Sequence, residues 1–134
     1  DEIDNLMLRQ IYPTGTILRD NFVLEIREGY SLAKQIASYS ITVKIPGEFQ
    51  FKSFQDVIIT GHRERSLSAL PVPFNVNKAP AKSFEFIPGI GKERASQIIL
   101  KRPFEHREDL RDFLDNTPPQ LAKSIIENSQ IEIP

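Results

Sequence analysis

Between Thr16 and Phe74 apolar and polar side chains alternate with a period of two, the spacing that sends successive side chains to opposite faces of a strand. Phe22, Leu24 and Ile26 alternate with Val23, Glu25 and Arg27, and Ile41, Val43 and Ile45 with Thr42 and Lys44. Phe49 and Phe51 alternate with Gln50 and Lys52; Val57 and Ile59 follow, then Leu67 and Ala69. Five strands are expected. Glu28-Gly29, Pro46-Gly47 and Gly61-His62 supply the turns between most of them. So dense a run of short strands favours closure into a small barrel, which leaves no exposed edge.

On either side of this run the period is helical. In residues 1–14, Ile3, Leu6, Met7 and Gln10 share one side, and Pro13 and Gly15 end the turn. That stripe is too narrow to fold alone, so a linker helix docked on a neighbouring domain is expected. The segment 70–74, LPVPF, is held extended by its prolines and marks a boundary. Beyond it Asn77 sits where an N-cap belongs, with Pro80 in the first turn and Phe84 and Ile87 on the apolar side of an incoming helix. Ala95, Ile98 and Ile99 line a second helix that Arg102-Pro103 ends. Leu110, Phe113 and Leu114 recur at helical spacing over 107–115, giving a third. Thr117 and Gln120 have the spacing of a capping box, so a fourth helix starts there and turns Leu121, Ala122, Ile125 and Ile126 inward. Residues 130–134 show no periodicity. The expected fold class is α+β: a linker helix over 1–14, a five-stranded barrel over 15–74 and a four-helix unit over 75–134.

The stretch with the most specific chemistry is 84–104, FEFIPGIGKERASQIILKRPF. Pro88 ends the incoming helix because it has no N–H to donate, and Gly89 and Gly91 admit backbone conformations closed to other residues, so the chain reverses within four residues. The next helix starts near Lys92. Its unpaired first-turn N–H groups then lie beside two residues without a Cβ, a site the size of a phosphate, flanked by Lys92 and Arg94. The same sequence also suits a tight turn in a helical core, or a protein contact.

Charge refines this reading. The net charge is −1 over 134 residues, which does not advertise a polyanion-binding protein. Its distribution is uneven, however. Lys78, Lys82, Lys92, Arg94, Lys101 and Arg102 cluster around the hairpin against Glu85 and Glu93, while Glu105, Glu108, Asp109, Asp112 and Asp115 follow it. With no cysteine the chain has neither disulfides nor cysteine-held iron–sulfur ligands, and two histidines are few for a metal site. No apolar run approaches the roughly 20 residues of a membrane span and no secretory segment is present, so a cytoplasmic location without membrane contact is expected. The sequence opens at Asp1 rather than methionine, which suggests an excised portion of a longer protein or a processed product.

Pro88-Gly89-Ile90-Gly91, the small Ala95, the pair Ile98-Ile99 and then Arg102-Pro103-Phe104 resemble the helix-hairpin-helix motif of nucleic-acid-binding proteins. That resemblance implies contact with the phosphate backbone, without reading of base sequence, by Gly89, Ile90, Gly91, Lys92 and Arg94. It also implies that the four helices form a doubled helix-hairpin-helix unit. The second hairpin has Asn116 to Pro119 where glycines would stand, and prolines remove the donors a phosphate needs, so this copy is expected to be structural. The strands fit a five-stranded oligonucleotide-binding (OB) barrel. Residues 23–47, VLEIREGYSLAKQIASYSITVKIPG, resemble the TRAM domain, a small barrel appended to RNA-modifying enzymes, with Ala33-Lys34 where that family usually has glycine-arginine. The likeness implies RNA contacts at Tyr30, Lys34, Tyr39 and Lys44, with Arg63 and Arg65 on the later turn, since aromatics stack on bases and cations meet phosphates. Core or rim packing is the competing role for the tyrosines, and an ordinary solvated surface for the cations.

A barrel followed by such a helical unit resembles the C-terminal part of archaeal-type radical-SAM proteins, carried here by residues 15–20, 40–47 and 65–73 and by the hairpin. This likeness implies an accessory module that presents RNA or DNA to an N-terminal catalytic domain. Any iron–sulfur cluster and S-adenosylmethionine would belong to that domain, and no cofactor or metal is expected in this chain. Catalysis by the chain itself is not expected either: His62, His106, Ser66 and Ser68 stand in no motif that pairs a nucleophile or acid with an orienting partner. The alternative is a docking module that uses the hairpin and the first helix to bind protein.

Overall fold

In the computed structural model, residues 5–35, 41–63 and 65–131 are described. Five strands, β1 (Ile17–Arg27), β2 (Tyr30–Gln35), β3 (Thr42–Pro46), β4 (Phe54–Arg63) and β5 (Ser66–Pro71), close into a barrel in the order β1-β2-β3-β5-β4. All pairs are antiparallel except β3–β5. Val23, Ala33, Val43, Ile45, Val57, Ile59, Leu67 and Ala69 fill its interior. The closed five-stranded barrel expected from the alternation is present, but its strands differ in detail. Residues 49–51 form no strand: Phe49 tucks partly against the core and Phe51 is exposed. The strand that takes its place is β2, whose inward residues are Ser31 and Ala33. These are too small and polar to stand out as an apolar stripe. Ser31 is buried all the same, its hydroxyl donating to the Gly47 carbonyl at 2.8 Å and accepting from the Phe49 N–H at 3.0 Å.

In β1 the apolar stripe faces outward. Asn21 and Val23 point in, whereas Leu24 and Ile26 are exposed. Bulges between Leu18 and Asn21 and between Val23 and Glu25 bend the strand, and Asn21 meets the unpaired backbone of the first by donating to the Leu18 and Gln55 carbonyls, both at 2.9 Å. Helix α1 (Asn5–Ile11) docks on the barrel through Leu8, which joins the barrel core, while Met7 of the expected stripe is exposed. Ile3, also assigned to that stripe, lies outside the described residues.

The second half carries α2 (Ala81–Phe84), α3 (Lys92–Leu100), a 3-10 helix (Arg107–Leu114) and α4 (Pro119–Asn128). Two short strands, β6 (Phe74–Asn75) and β7 (Ser129–Gln130), pair in parallel and tie the end of α4 to the exit of the barrel, so Gln130, at the start of the stretch without periodicity, is held in a strand pair. Phe74, Phe84, Phe113 and Phe104 stack in a chain with successive centroids 5.3, 5.9 and 5.6 Å apart, and Ile87, Ile98, Leu110, Leu121 and Ile125 complete this core. Ile58 and Leu70 of the barrel belong to the same cluster. Hence β4 reads as a continuous buried run, Val57 to Thr60, with one face in the barrel and the other under the helices.

Two expected caps do other work. Asn77 does not cap α2, a single turn that begins after Pro80; its side chain clamps the Phe104 backbone, accepting from the N–H at 2.7 Å and donating to the carbonyl at 3.0 Å. Thr117 does not cap α4, whose N-cap is Pro118; its hydroxyl donates to the Pro88 carbonyl at 3.0 Å. Arg102, where α3 was expected to stop, donates to the Ala79 carbonyl at 2.7 Å, and its partial burial lowers its pKa from the ordinary arginine value.

Candidate nucleic-acid interface

Strand register places most of the barrel cations together. Lys34 of β2 lies opposite Thr42 of β3, Thr42 opposite Ser66 of β5, and Ser66 opposite Arg63 of β4. Two residues along, Leu32, Lys44 and Ser68 form the next row. Since Ala33, Val43 and Leu67 point into the barrel, both rows face outward. Lys34, Lys44 and Arg63 therefore share one surface, and Arg65 stands in the tight β4–β5 turn at its end with a left-handed backbone (φ 53°). Tyr30 lies on the same side of β2, with the Lys44 ammonium 4.3 Å from its ring centroid, and that ammonium is also 5.9 Å from the centroid of Phe86. Tyr39 lies outside the described residues.

The hairpin sits between α2 and α3. Gly89 has φ +93°, and an added Cβ there would come within 2.7 Å of the Asn116 carbonyl oxygen. Gly91 differs: it is the N-cap of α3 with extended backbone (φ −95°, ψ −171°), and nothing lies within 4 Å of where its Cβ would be. The Ile90 side chain is buried in the helical core, and its N–H donates to the Ile87 carbonyl at 3.0 Å. The donors the hairpin can offer an anion are thus those at the start of α3, beside an exposed Gly91 and Lys92. Arg94 turns the other way, donating to the Phe113 carbonyl and to Asp115 Oδ1, both at 3.0 Å. That hydrogen bond, reinforced by the charge, holds the Asp115 carboxyl below its ordinary pKa. Arg94 is therefore placed to brace α3 against the 3-10 helix.

Sequence reasoning did not single out the segment that joins these two surfaces. Lys82, Glu85 and Phe86, leading into the hairpin, form one wall of a cleft whose opposite wall is Lys44, Arg63 and Ser68 of the barrel. Lys82 was visible only as one charge among several around the hairpin. Its meeting with barrel residues depends on how the helices dock, which local pattern does not carry. His62, a candidate acid or base by type, has Nε2 2.6 Å from the Tyr12 carbonyl and links β4 to the segment after α1.

No family model matches the chain, and no solved structure matches it significantly. An uncharacterized protein of Archaeoglobus fulgidus is 32% identical over 104 residues, covering 77% of this chain and 19% of that protein. An uncharacterized protein of Methanocaldococcus jannaschii is 39% identical over 70 residues, covering 51% of this chain and 13% of its own length. The chain thus spans a fifth or less of the length of the relatives it matches. No described helix is long and apolar enough to cross a membrane.

Proposed function

We propose that this chain is a nucleic-acid-binding module that grips the phosphate backbone without reading base sequence. The observation that carries the proposal is the shared outward face of Lys34, Lys44 and Arg63, rowed with Thr42, Ser66 and Ser68. Cations supply the counterion-releasing contacts and hydroxyls add hydrogen bonds to phosphate oxygens. Two further features support it. The strand order is that of an OB-like barrel, a shape often used for oligonucleotides. The hairpin leaves the start of α3 uncovered beside Gly91 and Lys92, and we take α2–α3 and the 3-10 helix–α4 pair as a doubled helix-hairpin-helix unit in which only the first copy binds.

Fluorescence anisotropy of the chain with a structured RNA, a duplex DNA and a single strand tests this reading. Binding is expected, and with about three or four phosphate contacts it should weaken roughly tenfold or more as salt rises fourfold. Absence of binding at low salt sinks the proposal. In the longer protein we propose that the module serves a radical-SAM catalytic domain. That step rests on the sequence resemblance alone, and the visible absorption of the anaerobically purified full-length protein tests it.

A second reading has its own observation. Phe54 is 55% and Phe51 52% exposed, Phe22 packs on Phe54 with centroids 5.2 Å apart, and Leu24 and Ile26 of β1 are exposed as well. Such a surface suits docking against the remainder of a longer protein. It adjoins the cationic rows, since Phe22 lies opposite Lys34 and Phe54 opposite Phe22, so one surface carries a basic part and an apolar part.

A further inference from the structure

We infer that the cleft between the barrel and the segment leading into the hairpin is a phosphate subsite, through which one nucleic-acid strand runs from the barrel face to the hairpin. The inference rests on the nucleic-acid reading above and adds a site to it. The cleft holds about 430 Å³, within the range of ligand pockets, which is room for a phosphate with its sugar. Lys44 and Arg63 enter it from neighbouring rows of the barrel, and Lys82 faces them from the opposite wall.

These three cations lack the neutralisation given to others in the chain. Arg19 meets Asp56, Arg27 meets Glu25 and Arg94 meets Asp115. Among the described residues no such ion pair reaches Lys44, Arg63 or Lys82, although Glu85 lines the same cleft. Three like charges converging on one concavity repel one another until an anion enters. Ser66 and Ser68, between Lys44 and Arg63 in the strand register, bring hydroxyl donors suited to phosphate oxygens. Phe86 gives the apolar side that a sugar or base edge requires, and the Lys44 ammonium lies between its ring, 5.9 Å away, and that of Tyr30, 4.3 Å away. Glu85 tunes the site by opposing the anion. Because Lys82, Glu85 and Phe86 lead directly to Pro88, a strand seated here continues towards the start of α3.

The test uses the whole chain with whichever of the three probes it binds best, titrated at several salt concentrations. Lys82→Gln should weaken binding about three- to tenfold and lower the salt slope by about one contact. Glu85→Gln should tighten binding severalfold. Both side chains are exposed, so circular dichroism should show both variants folded. If Lys82→Gln leaves affinity and slope unchanged while Lys44→Gln weakens binding, the cleft is not a subsite and the broader reading stands. If the parent chain binds none of the probes, both fall. A polyglutamate peptide that binds as tightly as the nucleic acid and loses as much affinity in Lys82→Gln overturns the phosphate assignment in favour of an acidic protein segment.

Discussion

The two turns of the helical half, residues 88–91 between α2 and α3 and residues 116–119 between the 3-10 helix and α4, are similarly exposed and differ in what they touch. Residues 88–91 face solvent through Pro88, Gly89 and Gly91, and lead into a helix whose first turn is uncovered. Residues 116–119 are also mostly exposed, with Thr117 buried, but they carry the contacts to the rest of the fold. The Asn116 carbonyl fits against Gly89, the Thr117 hydroxyl reaches the Pro88 carbonyl, and the Gln120 carbonyl lies 3.0 Å from where a Cβ on Gly15 would stand. The second hairpin thus wedges between the first hairpin and the start of the barrel. Its prolines, which cannot donate to a phosphate, lose nothing by being there. The second turn contacts the first, while Gly91 and the start of α3 remain exposed. Gly89 belongs to that contact and Gly91 to the exposed surface, although both read alike in the sequence.

The sharpest way to break this contrast is Gly89→Ala. A side chain at φ +93° costs on the order of 1 to 2 kcal/mol by itself, and here the new methyl also meets the Asn116 backbone at 2.7 Å. A loss of about 2 to 4 kcal/mol is expected, lowering the midpoint of thermal unfolding by roughly 10 °C. Differential scanning calorimetry measures it. A variant as stable as the parent would show that the second hairpin does not press on the first.

Position in the chain carried the architecture further than it carried these roles. The alternation of Ile41, Val43, Ile45 and of Val57, Ile59 was legible because each inward residue of those strands is large and apolar. The strand β2 was not, because its inward places are held by Ser31 and Ala33, and a buried serine satisfied by backbone partners looks like a surface residue in sequence. Phe51, large and aromatic in an alternating run, suggested a strand but lies exposed in a loop. Thr117 and Asn77 were read through local rules for helix starts, whereas their partners, Pro88 and Phe104, are distant in the chain. The hairpin was visible because Pro-Gly-Ile-Gly encodes its own backbone. The separation of Gly89 from Gly91, and of Lys92 from the internally bonded Arg94, required knowing what lies opposite each.

Gly91→Asp sharpens the contrast from the other side. Its backbone is extended and its Cβ direction open, so no strain opposes the substitution. Aspartate is moreover a better N-cap than glycine, worth a few tenths of a kcal/mol, because its carboxylate accepts from the N–H groups of the first helical turn. Those are the donors the proposed phosphate would use. The expected result is a chain slightly more stable than the parent whose nucleic-acid affinity falls tenfold or more. Stability and binding then move in opposite directions, which global damage cannot produce. Unchanged affinity in this variant would remove the hairpin from the interface and leave the barrel face alone.

The smallest effect expected concerns Arg94, which the hairpin reading placed on phosphate and the structure ties to Phe113 and Asp115. The Asp115 carboxyl is held below its ordinary pKa chiefly by the Arg94 hydrogen bond. A carboxyl depressed in the folded state adds stability above its unfolded pKa and loses it as pH falls through the folded one, so the contribution should be intact at neutral pH and fade in the acid range. Asp115 is exposed and solvent screens the pair, which keeps the difference slight. Urea unfolding of Asp115→Asn beside the parent should therefore show a small gap at neutral pH that narrows on acidification. If Arg94 instead serves a bound phosphate, releasing it from Asp115 should tighten nucleic-acid binding at neutral pH. If it only braces α3, the variant should bind as the parent does, and the two hairpins would then divide their work as the contacts suggest.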